Sequence, residues 1–115
     1  MEVTPDGEAL RRLRKVGGPD LVRKMIQLFL ENLPVRMETA LAGFRGANWS
    51  EVERIGHSLK SSAAYLGLRE VSERAAALEL LAAGGGGNDV EPLLRDLSAA
   101  VPDLQSRLLQ VVQAL

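Results

Sequence analysis

Residues 19–44 read PDLVRKMIQLFLENLPVRMETALAGF, and the periodicity of this stretch decides the fold class. Val22, Met25, Ile26, Phe29, Leu33, Met37, Leu41 and Phe44 recur at helical spacing and share one face of a long helix. Pro19 suits its opening turn, where a missing N–H costs nothing. Pro34 lies inside the pattern and is expected to kink the helix or open its hydrogen bonds locally.

On the N-terminal side, Gly17 and Gly18 separate this helix from a shorter one carrying Leu10, Leu13 and Val16. Thr4 is its expected cap, with Pro5 in the opening position. On the C-terminal side, Gly43, Gly46 and Asn48 mark a break, and Asn48 with Glu51 resembles a capping box. A third helix is expected from Trp49 to about Leu66, stopped by Gly67. A fourth carries Leu68, Val71, Ala75, Leu78 and Ala82 and runs into four glycines at 84–87, read as a flexible loop.

The last segment has Asp89 as its expected cap and Pro92 in its first turn. Val90, Leu94, Leu97, Val101, Leu104, Leu108, Val111 and Leu115 alternate spacings of four and three, as in a helix packed lengthwise in a bundle. Pro102 should bend it. The expectation is one all-α domain over residues 1–115, an antiparallel four-helix bundle with a short additional N-terminal helix.

Composition narrows function. The 115 residues hold no cysteine, which removes disulfides, thiolate metal sites and thiol catalysis and fits a reducing compartment. A net charge of −1 gives no global field for nucleic acid or an anionic membrane. No apolar run approaches the roughly 20 residues that span a bilayer, and the charged N-terminus lacks a signal core. The expected location is cytoplasmic. The glycine run is no nucleotide-binding loop, so ATP-dependent kinase activity is not expected. His57 alone cannot make a metal site of typical three- or four-ligand spacing, and the scattered serines and aspartates justify no Ser/His/Asp triad.

That histidine, His57, sits in IGHSLKSSAAYLG, residues 55–67. On the helical wheel Val52, Ile55, Leu59, Ala63 and Leu66 cluster, and His57 lies roughly 170° away at about 100° per residue. It should face outward. Ser61 and Ala64 follow at one and two turns, Ser50 lies two turns back, and Lys60 stands at i+3. Glu53 and Arg54 flank on the preceding turn. These small residues leave the imidazole clear on one side, with a cation near whatever it binds. Taken alone, a single exposed histidine is an ordinary solvated side chain.

His57-Ser58-Leu59-Lys60, followed by small residues and Leu66-Gly67, resembles the signature of the histidine-containing phosphotransfer (HPt) domains of two-component phosphorelays. The usual pattern there is His-x-Leu-Lys-Gly-Ser, then an apolar residue and Gly. The paired glycines 17–18, Phe29-Leu30 before Pro34, Asn48-Trp49 and the glycine-rich turn are also similar to features of that family. Ser61 stands where the family most often has glycine, and Tyr65 where it often has a smaller or polar residue.

The resemblance implies that His57 is the phosphoacceptor through Nε2 and that Lys60 offsets phosphoryl charge. Ser61, Ala64 and Arg54 would belong to the partner-docking surface. It implies no cofactor in this chain, with Mg²⁺ and an acceptor aspartate supplied by the receiver domain of a response regulator or hybrid kinase, and a monomer. Two other readings remain open on sequence. One is a non-catalytic helical adaptor of the same fold; the other is the isolated phosphoacceptor domain of a larger histidine kinase.

Overall fold

The computed structural model describes all 115 residues as five helices without a strand. They are α1 (Gly7–Arg45), α2 (Trp49–Tyr65), α3 (Arg69–Ala83), α4 (Val90–Ala99) and α5 (Val101–Gln113). α1 consists of two helical arms that meet at Gly18, whose φ of 71° and ψ of −171° are non-helical. A side chain rarely tolerates that positive φ, so glycine is what allows the turn. The expected division between a short helix and a long one falls here.

The first cap differs from the expected Thr4. Asp6 caps α1, accepting a hydrogen bond from the Glu8 N–H at 3.1 Å. Pro5 is buried ahead of the helix, and the Asp6 N–H donates to the Gly67 carbonyl at 2.9 Å. The chain therefore crosses the α2–α3 turn before it can start to coil. On this arm Ala9 is buried and Leu10 and Leu13 pack on the core, while Val16 is 82% exposed rather than part of the apolar stripe.

Pro34 does not break α1, whose only non-helical torsions are at Gly18. It lies on the exposed side of the helix, where its ring meets solvent rather than the packed core. At the start of α2, Asn48 Oδ1 accepts from the Glu51 N–H at 3.3 Å. The reciprocal half of a capping box is absent: the Asn48 N–H donates to the Gly43 carbonyl at 2.8 Å, and the Glu51 carboxylate is held by Arg54. The glycine run after α3 is seated on Trp49: a Cβ on Gly86 would fall 2.5 Å from the indole. Trp49 in turn meets Phe44 edge-on, with ring centroids 6.1 Å apart.

The segment expected as one bent helix is two. α4 ends and α5 begins around Ala100, whose torsions remain near-helical at φ −79° and ψ −12°. Pro102, in the first turn of α5, has no N–H to continue the ladder toward Ser98, which interrupts the hydrogen bonding there. Asp89 stands at the start of α4 but makes no side-chain capping bond.

α1 packs on α2, α2 on α3, α3 on α4, and α4 back on α1, while α5 continues along α1. Between them lies an aliphatic core that includes Ile26, Leu33, Leu59, Leu78, Leu94 and Leu104. Each such side chain contributes about 1.5–3 kcal/mol by leaving water. No polar or charged residue is buried, so any chemistry belongs to the surface. No helix is long and apolar enough to cross a membrane.

Candidate functional site

Val52, Ile55, Leu59 and Ala63 point α2 into the core. His57 consequently projects away, its side chain 63% exposed. What surrounds it depends on how closely α3 approaches. Gly56 is buried against α3, where a Cβ would come 2.9 Å from the Glu79 backbone nitrogen and 3.0 Å from the Ala75 carbonyl oxygen. Only a residue without a side chain admits two backbones at that distance.

The close approach brings Glu79 beside His57. Its Oε2 lies 2.6 Å from His57 Nδ1, and its Oε1 lies 2.6 Å from Lys60 Nζ. One carboxylate thus bridges the imidazole and the ammonium, with its side chain 19% exposed. Ser72 Oγ donates to the Lys60 carbonyl at 2.9 Å, a second tie between α3 and the same turn of α2. The Lys60 hydrogen bond, above all, holds the Glu79 carboxyl below the usual carboxylate range; desolvation opposes this, and the His57 bond adds to it.

An ionised carboxylate only accepts hydrogen bonds, so the hydrogen shared with Glu79 belongs to His57 Nδ1. In the neutral ring, Nε2 then carries the free lone pair. The arrangement fixes the tautomer and the ring orientation together. It presents a nucleophilic nitrogen on the exposed edge, with a compensating anion behind it.

The opposite side of α2 is open. Ser61 and Ala64 are exposed and line a groove of about 570 Å³ against the first arm of α1, with Leu13, Val16 and Tyr65. A second groove of about 270 Å³, against the longer arm, shares Ser61 and Tyr65 with it. Tyr65 is 62% exposed between the two. Arg54 is turned back along α2 to Glu51, 2.6 Å away. That ion pair raises Arg54 and lowers Glu51 from their ordinary pKa values, in each case chiefly through the hydrogen bond between them.

Of the residues singled out from sequence, His57 and Lys60 are joined through Glu79, Ser61 and Ala64 sit together at the groove, and Arg54 is engaged with Glu51. Sequence reasoning missed Glu79. Its only trace there is an acidic residue four positions after Ala75, on the margin of the apolar stripe of α3. No three His, Cys, Asp or Glu side chains gather where they could hold a metal ion.

No curated protein sequence matches the chain. Over its whole length it is similar in structure to histidine-containing phosphotransfer protein B from Pseudomonas aeruginosa PAO1, with a TM-score of 0.88 at 16% identity, covering 99% of that chain. At that identity the likeness concerns the fold. The family model described as Hpt domain matches residues 24–114, most of the chain and all of the His57 turn. The chain belongs to the Hpt domain family, the histidine phosphotransfer modules of two-component phosphorelays.

Proposed function

We propose that His57 is the phosphoacceptor and that the chain passes the group to or from an aspartate of a receiver domain. The observation that carries this reading is the Nδ1–Glu79 clasp on an imidazole whose other edge faces solvent. The Nε2 lone pair attacks the phosphorus of an aspartyl phosphate. The P–N bond forms as the P–O bond to the aspartate breaks, and the carboxylate leaves with the bonding pair. No proton has to depart: Nδ1 keeps its hydrogen, and the positive charge gained by the ring faces the Glu79 carboxylate. Transfer onward retraces these steps.

Lys60 holds the same carboxylate one turn after His57, and its role in this reading is electrostatic, offsetting phosphoryl charge during transfer. Ser61 and Ala64 keep the approach clear, and Arg54 borders it. Mg²⁺ and the acceptor aspartate are assigned to the receiver. The arrangement behind the site is read as an antiparallel four-helix bundle with the 7–17 arm as the additional short helix. The ring of helix contacts from α1 round to α4 supports this. A monomer acting in the cytoplasm, with no nucleic-acid or membrane partner, completes the reading; a cysteine-free chain of net charge −1 accords with it.

The test mixes the protein with phosphorylated receiver domains and Mg²⁺ and follows the label. Acid-labile, base-stable phosphate should appear on the wild type and be absent from His57→Gln. A wild type left unlabelled by cognate receivers would replace this reading with that of a non-catalytic adaptor.

A further inference from the structure

Four lysine or arginine residues are partly buried: Arg23, Arg36, Lys60 and Arg74. Three of them have a carboxylate in ion-pair contact, respectively Asp20, Glu79 and Asp96. Arg36 has none. Its Nη1 donates to Ser62 Oγ at 3.0 Å, a neutral partner on α2 that orients the guanidinium without compensating its charge.

Arg36 lines the smaller groove beside α2, where Met25, Leu28, Phe29 and Tyr65 provide the apolar walls and Ser61, one turn after His57, lines it as well. Burial, and secondly repulsion from Arg54, pull its pKa below the ordinary arginine value. A half-buried cation without a counter-ion is unfavourable in the free protein, and an arriving carboxylate relieves it. Charge on the other side of His57 is already balanced by Glu79, so the α1 side is the one left electrically incomplete.

We infer that Arg36 is a specificity-determining residue that receives a carboxylate side chain of the docking receiver domain, beside an apolar contact in the same groove. The inference rests on the phosphotransfer reading and adds to it the chemistry the partner must present. A guanidinium pre-oriented by Ser62 binds a carboxylate in a defined direction, which sets the register of the partner over His57. Receivers carrying a lysine or arginine at the facing position are rejected by repulsion.

The experiment compares wild type, Arg36→Glu and Arg36→Lys with two phosphodonors: the receiver domain that labels the wild type fastest from a panel, and phosphoramidate, which needs no docking surface. Arg36→Glu should raise the half-saturating receiver concentration at least tenfold while the rate at saturation and labelling by phosphoramidate hold. Arg36→Lys, which restores the charge without the oriented fork, should recover part of the loss, and added salt should weaken transfer to the wild type more than to Arg36→Glu. Unchanged half-saturation in Arg36→Glu overturns the inference and leaves the phosphotransfer reading standing. So does a parallel loss with phosphoramidate, which places Arg36 in the chemistry or the fold instead. Label that persists in His57→Gln sinks the phosphoacceptor assignment without touching Arg36, whereas a wild type that no receiver labels removes both.

Discussion

Toward α3, the second helix presents Gly56 to a neighbouring backbone and closes its charges on one another through Glu79, His57 and Lys60. Toward α1, it presents Ser61, Ala64 and Tyr65 to open grooves, with Arg36 left without an anion. The closed flank holds the imidazole in one tautomer; the open flank offers room and an unmet charge to a partner. One helix thereby separates the chemistry of transfer from the choice of partner. Changes to the closed flank should slow reaction with any phosphodonor, and changes to the open flank should act mainly on receivers.

The largest effect is expected where the closed flank depends on contact. A side chain at Gly56 would press on the Ala75 carbonyl and the Glu79 backbone, neither of which can swing away. Gly56→Val should cost about 3 kcal/mol in a denaturant titration, typical of an overpacked site at its upper end. It should also separate Glu79 from His57, so reaction with receiver and with phosphoramidate falls together. Full stability in this variant would show that the helices can part without consequence.

Next comes obstruction of the open flank. Ser61 borders both grooves, so Ser61→Trp should reduce transfer from a receiver about thirtyfold, roughly 2 kcal/mol, the size of a strong interface contact. Reaction with phosphoramidate should fall much less. Equal losses with the two donors would erase the distinction between the flanks.

Glu79→Gln keeps the shape of the clasp and removes its charge. Loss of a charge-assisted hydrogen bond should slow single-turnover transfer about tenfold with either donor. The pH dependence has a defined sign. Because the Glu79 carboxyl is held below its ordinary range in the folded protein, its stabilising contribution is complete above that range. It is lost as pH falls through the lowered value. Denaturant midpoints measured down through the carboxylate range should therefore drop further for wild type than for Glu79→Gln. Parallel profiles would contradict an ionised Glu79 clasp.

The smallest change is expected from Lys60→Ala. Its ammonium is about one-third exposed and paired with Glu79, so it is screened by solvent. Transfer should slow about threefold with the fold intact, the scale of a partly exposed ion pair. Unchanged rates would remove its electrostatic role.

Much of this is legible in the amino-acid sequence. The apolar spacing of 19–44 and of 52–66 finds the buried faces because burial follows the helical period, although Met25, Leu41 and Phe44 are only partly buried. The same wheel turns His57 outward. Boundaries are less legible: Asp6 replaces Thr4 as cap because the Asp6 amide is engaged by Gly67, on the far side of two helices. Val16 matches the apolar spacing of its arm yet stands in solvent, since the period says which residues share a face but not how far the neighbouring helix extends. Pro102 announces a disruption, but its outcome, two helices in place of one bent helix, depends on the packing around Ala100.

Helix content, the core faces and the single exposed imidazole are determined by the sequence alone, since each depends on short-range periodicity and on residue type. The partners of that imidazole are decided only in the tertiary structure. Glu79 reaches Nδ1 because Gly56 lets α3 press against α2, and Arg36 goes without an anion because α1 meets α2 at the neutral Ser62. Both facts concern the distance and register between separate helices, joining side chains 22 and 26 positions apart in the chain. No spacing within one helix encodes them.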